Sequence, residues 1–126
     1  MKMLLLSNDV ALIEEIRRIS LHLENQIYTD SSSTDPLDVH SAVHKIYPSF
    51  VILDDDFLKP NSARIIRSLK DINNDLGIIF ITSDEGLELG REISQLGVHY
   101  YALKPVSNDE LQQALLSTSK TVRINN

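Results

Sequence analysis

The chain of 126 residues is long enough for one domain with a buried core, and 42% of its residues are hydrophobic. It contains no cysteine, which excludes disulfides, thiolate nucleophiles and thiolate metal sites. The formal net charge of −6 argues against direct nucleic-acid binding, because a basic surface is needed to displace counterions from phosphates. The N-terminal apolar run is too short for a signal sequence or a membrane span, so we expect a cytoplasmic protein without a membrane partner.

The first half of the chain predicts strands that alternate with helices. Short apolar runs predict three strands in chain order, at residues 3–6, 26–29 and 50–53. Between the first two, apolar residues recur at every third or fourth position, which predicts a helix over residues 10–24. Asp35 and Pro36 are suited to the N-cap and the first position of a second helix, whose apolar face runs from Val39 to Ile46.

The alternation continues in the second half. A third helix is predicted from Ala63 to Ile72, followed by a strand at residues 78–81. A fourth helix ends before Gly97, which can act as its C-terminal cap. A strand at residues 100–103 then leads to the last helix.

The last helix is predicted to begin with a capping box formed by Ser107 and Glu110. We expect one domain over residues 1–119, followed by a frayed tail or a linker stub over residues 120–126. No internal repeat is evident in the sequence.

This order of elements predicts an α/β fold with a doubly wound, five-stranded parallel sheet and helices on both faces. The C-terminal ends of parallel strands lie along one edge, where such proteins bind ligands. The residues that follow four of the strands are Ser7, Asn8, Asp9, Asp54, Asp55, Asp56, Thr82, Ser83, Lys104 and Pro105. A carboxylate, a hydroxyl and an ammonium at one edge could accept and hold a phosphoryl group.

Three segments resemble the receiver domains of bacterial two-component response regulators, and the resemblance covers nearly the whole chain. They are PSFVILD, ending at Asp54, IIFITS, containing Thr82, and GVHYYALKPV, containing Tyr101 and Lys104. The resemblance implies the flavodoxin-like receiver topology and a role in phosphorelay signal transduction rather than an enzyme. It also implies that Asp54 is the phosphoacceptor, that Thr82 and Lys104 bind the phosphoryl group, and that Tyr101 is the aromatic switch residue.

The metal-binding positions depart from the receiver pattern. Receivers usually carry two acidic residues after the first strand, which bind Mg²⁺ together with the phosphoacceptor, but Ser7 and Asn8 occupy these positions. Asp54 and Asp56 remain as metal ligands, so we expect weak Mg²⁺ binding. Asp55 also replaces the apolar residue that usually follows the phosphoacceptor.

Two functions are compatible with an atypical receiver of this kind: the first is the main prediction, which the presence of Thr82 and Lys104 favours, and the second is the alternative. In the first, a sensor histidine kinase or phosphotransfer protein phosphorylates Asp54. An output protein or effector domain then reads the surface of the fourth predicted helix, the fifth strand and the fifth helix, and a homodimer is a further assembly that the resemblance allows.

In the second function, a pseudo-receiver binds a protein partner without phosphorylation, which the uncharged Ser7 and Asn8 favour. A hydrolytic enzyme at the same edge is disfavoured, because no general base with a site for an attacking water stands out.

Overall fold

The structure is a computed structural model that describes the backbone of residues 1–125 and the side chains of residues 1–122. The strands in this part of the chain are β1 Lys2–Leu6, β2 Gln26–Asp30, β3 Phe50–Asp54, β4 Gly77–Thr82 and β5 Tyr100–Leu103. The helices are α1 Val10–His22, α2 Pro36–Ile46, α3 Asp55–Leu58, α4 Ser62–Ile72, α5 Leu87–Gln95 and α6 Asn108–Asn125. Among these helices, none is long and apolar enough to cross a membrane.

All five strands pair in parallel, in the order β2-β1-β3-β4-β5. One face of the sheet packs against apolar residues of α1 and α6, and the other face against α2, α3, α4 and α5. The central strands are buried on both faces, which explains why they appear in the sequence as continuous apolar runs. The predicted doubly wound parallel sheet is therefore confirmed.

Side chains and one glycine define the helix ends as the sequence predicted. The Asp35 side chain accepts a hydrogen bond from the Leu37 amide at the start of α2, where Pro36 is the first helical residue. Gly97, just beyond α5, has a φ of +84°, a left-handed conformation that glycine adopts without a steric penalty. The Ser107 hydroxyl accepts a hydrogen bond from the Glu110 amide at the start of α6, which is one of the two bonds of the predicted capping box; the Glu110 carboxylate lies 3.5 Å from the Tyr100 hydroxyl instead.

Two parts of the structure differ from the predicted elements. Residues Asp55–Leu58 form the short helix α3, although we expected no helix before Ala63. Residues 120–125, for which we predicted a tail or linker stub, continue α6, while Asn126 lies outside the described residues.

Packing against the sheet explains the continuation of α6. Val122 is only 1% exposed. A Cβ atom added to Gly77 would lie 2.7 Å from Val122 Cγ2, so the absence of a side chain at Gly77 allows α6 to approach β4. Val122 falls seven residues after the buried Leu115, which is a helical spacing that the sequence contained.

Candidate functional site

The predicted site residues converge at the C-terminal edge of the sheet. Asp54 is the last residue of β3 and Thr82 the last residue of β4, while Ser7 directly follows β1. Lys104 directly follows β5 and reaches back across the edge toward Asp54. Parallel pairing of the strands brings these distant residues together, as the order of elements predicted.

Both carboxylate oxygens of Asp54 are engaged by neighbouring groups. The Lys104 ammonium nitrogen lies 3.0 Å from each of the two oxygens. The Ser7 hydroxyl donates to Oδ2 at 2.6 Å, and the Asp56 amide donates to Oδ1 at 3.2 Å. The Asp54 side chain is only 1% exposed. Since a carboxylate offers about four lone-pair positions, these contacts use the acceptor capacity of Asp54.

Lys104 also binds two further carboxylates. Its ammonium nitrogen lies 3.0 Å from Asp9 Oδ2 and 3.2 Å from Asp56 Oδ2. Burial would lower the pKa of Lys104, but hydrogen bonds to Asp54 and Asp9 outweigh it and raise that pKa above its usual value. The hydrogen bond from Lys104 lowers the pKa of Asp9, which also caps α1 through the Leu12 amide. Three carboxylates therefore surround one ammonium group.

Burial would raise the pKa of Asp56, but hydrogen bonds from the Ser83 hydroxyl and from Lys104 outweigh it and lower that pKa. The Ser83 hydroxyl donates to Asp56 Oδ1 at 2.7 Å. Lys59 lies at the edge of the same group, 3.9 Å from Asp56, and its side chain is 65% exposed. The acidic side of the site is thus held by a partly buried lysine, with a second lysine in solvent.

The second carboxylate of the acidic run, Asp55, forms a separate buried network. Asp55 is 4% exposed and accepts hydrogen bonds of 2.7 Å from the hydroxyls of Ser62 and Thr82. The Thr82 hydroxyl in turn accepts a hydrogen bond of 3.0 Å from the Asp84 amide. No functional role was predicted for Asp55 from the sequence. The feature of the sequence that could have indicated this role is the carboxylate of Asp55 at a position where receivers usually carry an apolar residue.

Tyr101, the predicted switch residue, lies partly buried on β5. Its ring packs against Phe80 with a centroid distance of 5.3 Å. Burial raises the pKa of the Tyr101 phenol, and the nearby charge of Asp55 raises it further. Tyr101 and Arg91 of α5 line one surface cavity of about 460 Å³. The ring thus connects the buried site with the surface formed by α5 and β5.

No protein-family model and no curated protein matches the sequence of the chain. Solved structures nevertheless match its fold over almost the full length. A CheY-like response regulator receiver domain from Methanospirillum hungatei is 12% identical, with a TM-score of 0.83 and coverage of 99% of this chain and 98% of that one. A response regulator receiver domain from Clostridium thermocellum is 22% identical, with a TM-score of 0.76 and coverage of 98% and 95%.

The NtrC4 receiver domain, solved as a beryllofluoride-activated dimer, is 14% identical, with a TM-score of 0.79 and coverage of 99% and 98%. The domain matched in NtrX from Brucella abortus corresponds to 27% of that longer chain, at 16% identity and a TM-score of 0.80. The fold therefore defines a flavodoxin-like α/β domain. More narrowly, the chain has the CheY-like fold of response-regulator receiver domains.

Mg²⁺, which receiver domains generally bind in their acidic pocket, fits the residues of this site poorly. The ion requires octahedral oxygen ligands at about 2.0–2.1 Å. The oxygens of Asp54 and Asp56 that would serve as ligands already lie 3.0–3.2 Å from the Lys104 ammonium. Ser7 brings no charge and donates its proton to Asp54. Within the described residues, no group of three His, Asp or Glu side chains is arranged to hold a metal ion.

Proposed function

We propose that the chain is a receiver-type signalling module, rather than an enzyme, and that it binds a protein partner without phosphorylation of Asp54. The observation that carries this proposal is the occupation of both Asp54 oxygens by Ser7, Lys104 and the Asp56 amide. A carboxylate nucleophile needs a free lone pair to attack phosphorus. At Asp54 a lone pair becomes free only when one of these hydrogen bonds breaks.

The charges around Lys104 support the same conclusion. The carboxylates of Asp9, Asp54 and Asp56 face one ammonium, a formal excess of two negative charges. A phosphoryl donor is itself an anion, so this excess disfavours its approach. Ser7 and Asn8 stand where receivers usually carry metal-binding carboxylates. At this site the positive charge that contacts Asp9, Asp54 and Asp56 is the ammonium of Lys104.

Phosphoryl transfer to Asp54 from a sensor histidine kinase or a phosphotransfer protein is the second candidate. It is favoured by the 3.0 Å contact between Asp54 and Lys104 at the edge where parallel α/β sheets bind ligands. In this candidate Lys104 stabilises the charge of the phosphoryl group, and Thr82 must leave Asp55 to reach it.

The test that separates the candidates is intact-mass measurement after treatment with a small phosphodonor, together with a Mg²⁺ titration followed by NMR. We expect little labelling and little Mg²⁺ binding at millimolar concentration in the native chain. The double change Ser7→Asp and Asn8→Asp is expected to increase both, because it adds two carboxylate ligands. Asp54→Asn in the double variant is the matched control and is expected to abolish the labelling. Ready Mg²⁺-dependent labelling of native Asp54 would favour phosphoryl transfer instead.

In both candidates we place the partner surface on α5, β5 and α6. Leu87 at the start of α5 is 74% exposed, and Leu103 at the end of β5 is 42% exposed. The cavity lined by Arg91 and Tyr101 lies between them and adds a charge and a ring to this apolar patch. An output protein, an effector domain or a second copy of the chain in the cytoplasm is the class of partner that we propose for this surface.

A further inference from the structure

The Thr82 hydroxyl is bound to a carboxylate that belongs to the chain itself. Its oxygen lies 2.7 Å from Asp55 Oδ2, and Thr82 is completely buried. A hydroxyl can donate only one hydrogen bond. Thr82 therefore cannot donate to an oxygen at Asp54 while it donates to Asp55. The bond to a buried, charged acceptor is of the stronger, charge-assisted kind.

We propose that Asp55 is a positioning residue that serves as a permanent internal acceptor for Thr82 and so fixes the loop before α5 without phosphorylation. This inference rests on the proposed phosphorylation-independent function. In it, Asp55 takes the place of the phosphoryl group as the hydrogen-bond acceptor of Thr82.

Hydrogen bonds connect Asp55 to the beginning of α5. The Thr82 oxygen accepts a hydrogen bond from the Asp84 amide at 3.0 Å. The Asp84 side chain then accepts a hydrogen bond from the Gly86 amide at 2.7 Å, and Gly86 is the N-cap of α5. Gly86 has no side chain with which to cap the helix, so the residues before α5 are held by these hydrogen bonds, which backbone amides donate to the side chains of Thr82 and Asp84. Asp55 thus fixes the Thr82 hydroxyl, and the hydrogen bonds that follow connect Thr82 to the first residues of α5 in the partner surface.

The second donor to Asp55 provides a matched control. Ser62, at the start of α4, donates to Asp55 Oδ1 at 2.7 Å and is 3% exposed, so it resembles Thr82 in burial and bond length. The Asp84 amide donates its hydrogen bond to Thr82 rather than to Ser62. Loss of the Ser62 hydroxyl perturbs Asp55 but leaves the bond to Thr82 in place.

The experiment measures amide exchange of Asp84 and Gly86 by NMR in the full chain and in Asp55→Leu, Asp55→Asn and Ser62→Ala. In Asp55→Leu the Thr82 hydroxyl loses its acceptor, and we expect Asp84 exchange to rise about tenfold or more, as for loss of a hydrogen bond to a charged group. Asp55→Asn retains a neutral acceptor, so we expect a smaller rise. In Ser62→Ala we expect a change below about twofold, because the bond between Asp55 and Thr82 remains.

Native exchange rates at Asp84 in a folded Asp55→Leu chain would overturn the proposal, as would an equal rise in Ser62→Ala. Circular dichroism reports whether Asp55→Leu folds. If Asp55→Leu does not fold, Asp84 amide exchange is measured in Asp55→Asn, and a native exchange rate in that variant also overturns the proposal. The two proposals can fail separately. If a phosphodonor labels native Asp54 while the amide exchange follows the expected pattern, the phosphorylation-independent function is refuted and the role of Asp55 as acceptor for Thr82 is retained.

Discussion

Replacing Lys104 by methionine removes the ammonium that bridges three carboxylates and keeps most of the apolar stem. The side chains of Lys104 and Asp54 are only 18% and 1% exposed. Removing one partner of a buried ion pair destabilises proteins by about 3–5 kcal/mol. Asp9 and Asp56 are 35% and 25% exposed, so water screens their repulsion in part. We therefore expect the free energy of unfolding at neutral pH to fall by about 3 kcal/mol, at the lower end of that range.

The effect should depend on pH in a defined direction. The pKa values of Asp9 and Asp56 are lowered from 3.8 in the folded state, so their stabilisation is present above 3.8 and is lost as pH falls through the folded values. The pKa of Lys104 is raised from 10.5, so its stabilisation is present below 10.5 and is lost as pH rises through the folded value. The difference in free energy of unfolding between the native chain and Lys104→Met should thus be largest between pH 3.8 and pH 10.5, and it should become smaller in acid.

The assay is urea unfolding followed by far-UV circular dichroism at several pH values. Lys59→Met is the matched control, because Lys59 approaches the same Asp56 carboxylate at 3.9 Å but is 65% exposed. We expect that control to change the free energy of unfolding by about 0–1 kcal/mol. A Lys104→Met chain that is no less stable than Lys59→Met at neutral pH, or that shows no narrowing in acid, would refute the role of Lys104.

Three further predictions concern packing, pH and the partner surface. Gly77→Ala should destabilise the fold by about 1–3 kcal/mol in urea unfolding, because the added Cβ overpacks the contact with α6; a neutral effect would contradict that contact. The pKa of His99 is lowered from 6.5, first by burial, so stability should decline as pH falls below 6.5, and a chain with His99→Gln should lose this dependence. Arg91→Glu or Tyr101→Ala should weaken binding to a captured partner in a calorimetric titration, whereas His40→Ala on α2 should not. Equal losses in all three variants would place the partner elsewhere.

The order of strands and helices and most helix ends could be predicted from local features of the sequence. Hydrophobic periodicity and capping preferences act over a few residues. The apolar runs around Leu53 and Ile81 therefore predicted two strands, and Asp35 and Gly97 predicted two helix ends. The same local signals predicted that Asp54 and Lys104 would meet, because parallel strands place their C-terminal ends on one edge. The continuation of α6 past residue 119 was missed, because the spacing between Leu115 and Val122 is a weak signal by itself and the contact with β4 that supports the helix is tertiary.

The pairing of donors with acceptors at that edge depends on contacts between residues that are far apart in the sequence. Thr82 and Asp55 are separated by 27 residues, and Lys104 and Asp9 by 95. Sequence spacing carries no information on hydrogen-bond direction over such separations. The carboxylate run that begins at the last residue of β3 contains a buried pair, Asp54 and Asp55, whose side chains bind different partners. That division follows from the extended backbone of Asp54 at the end of β3, because successive side chains along a strand point to opposite faces of the sheet.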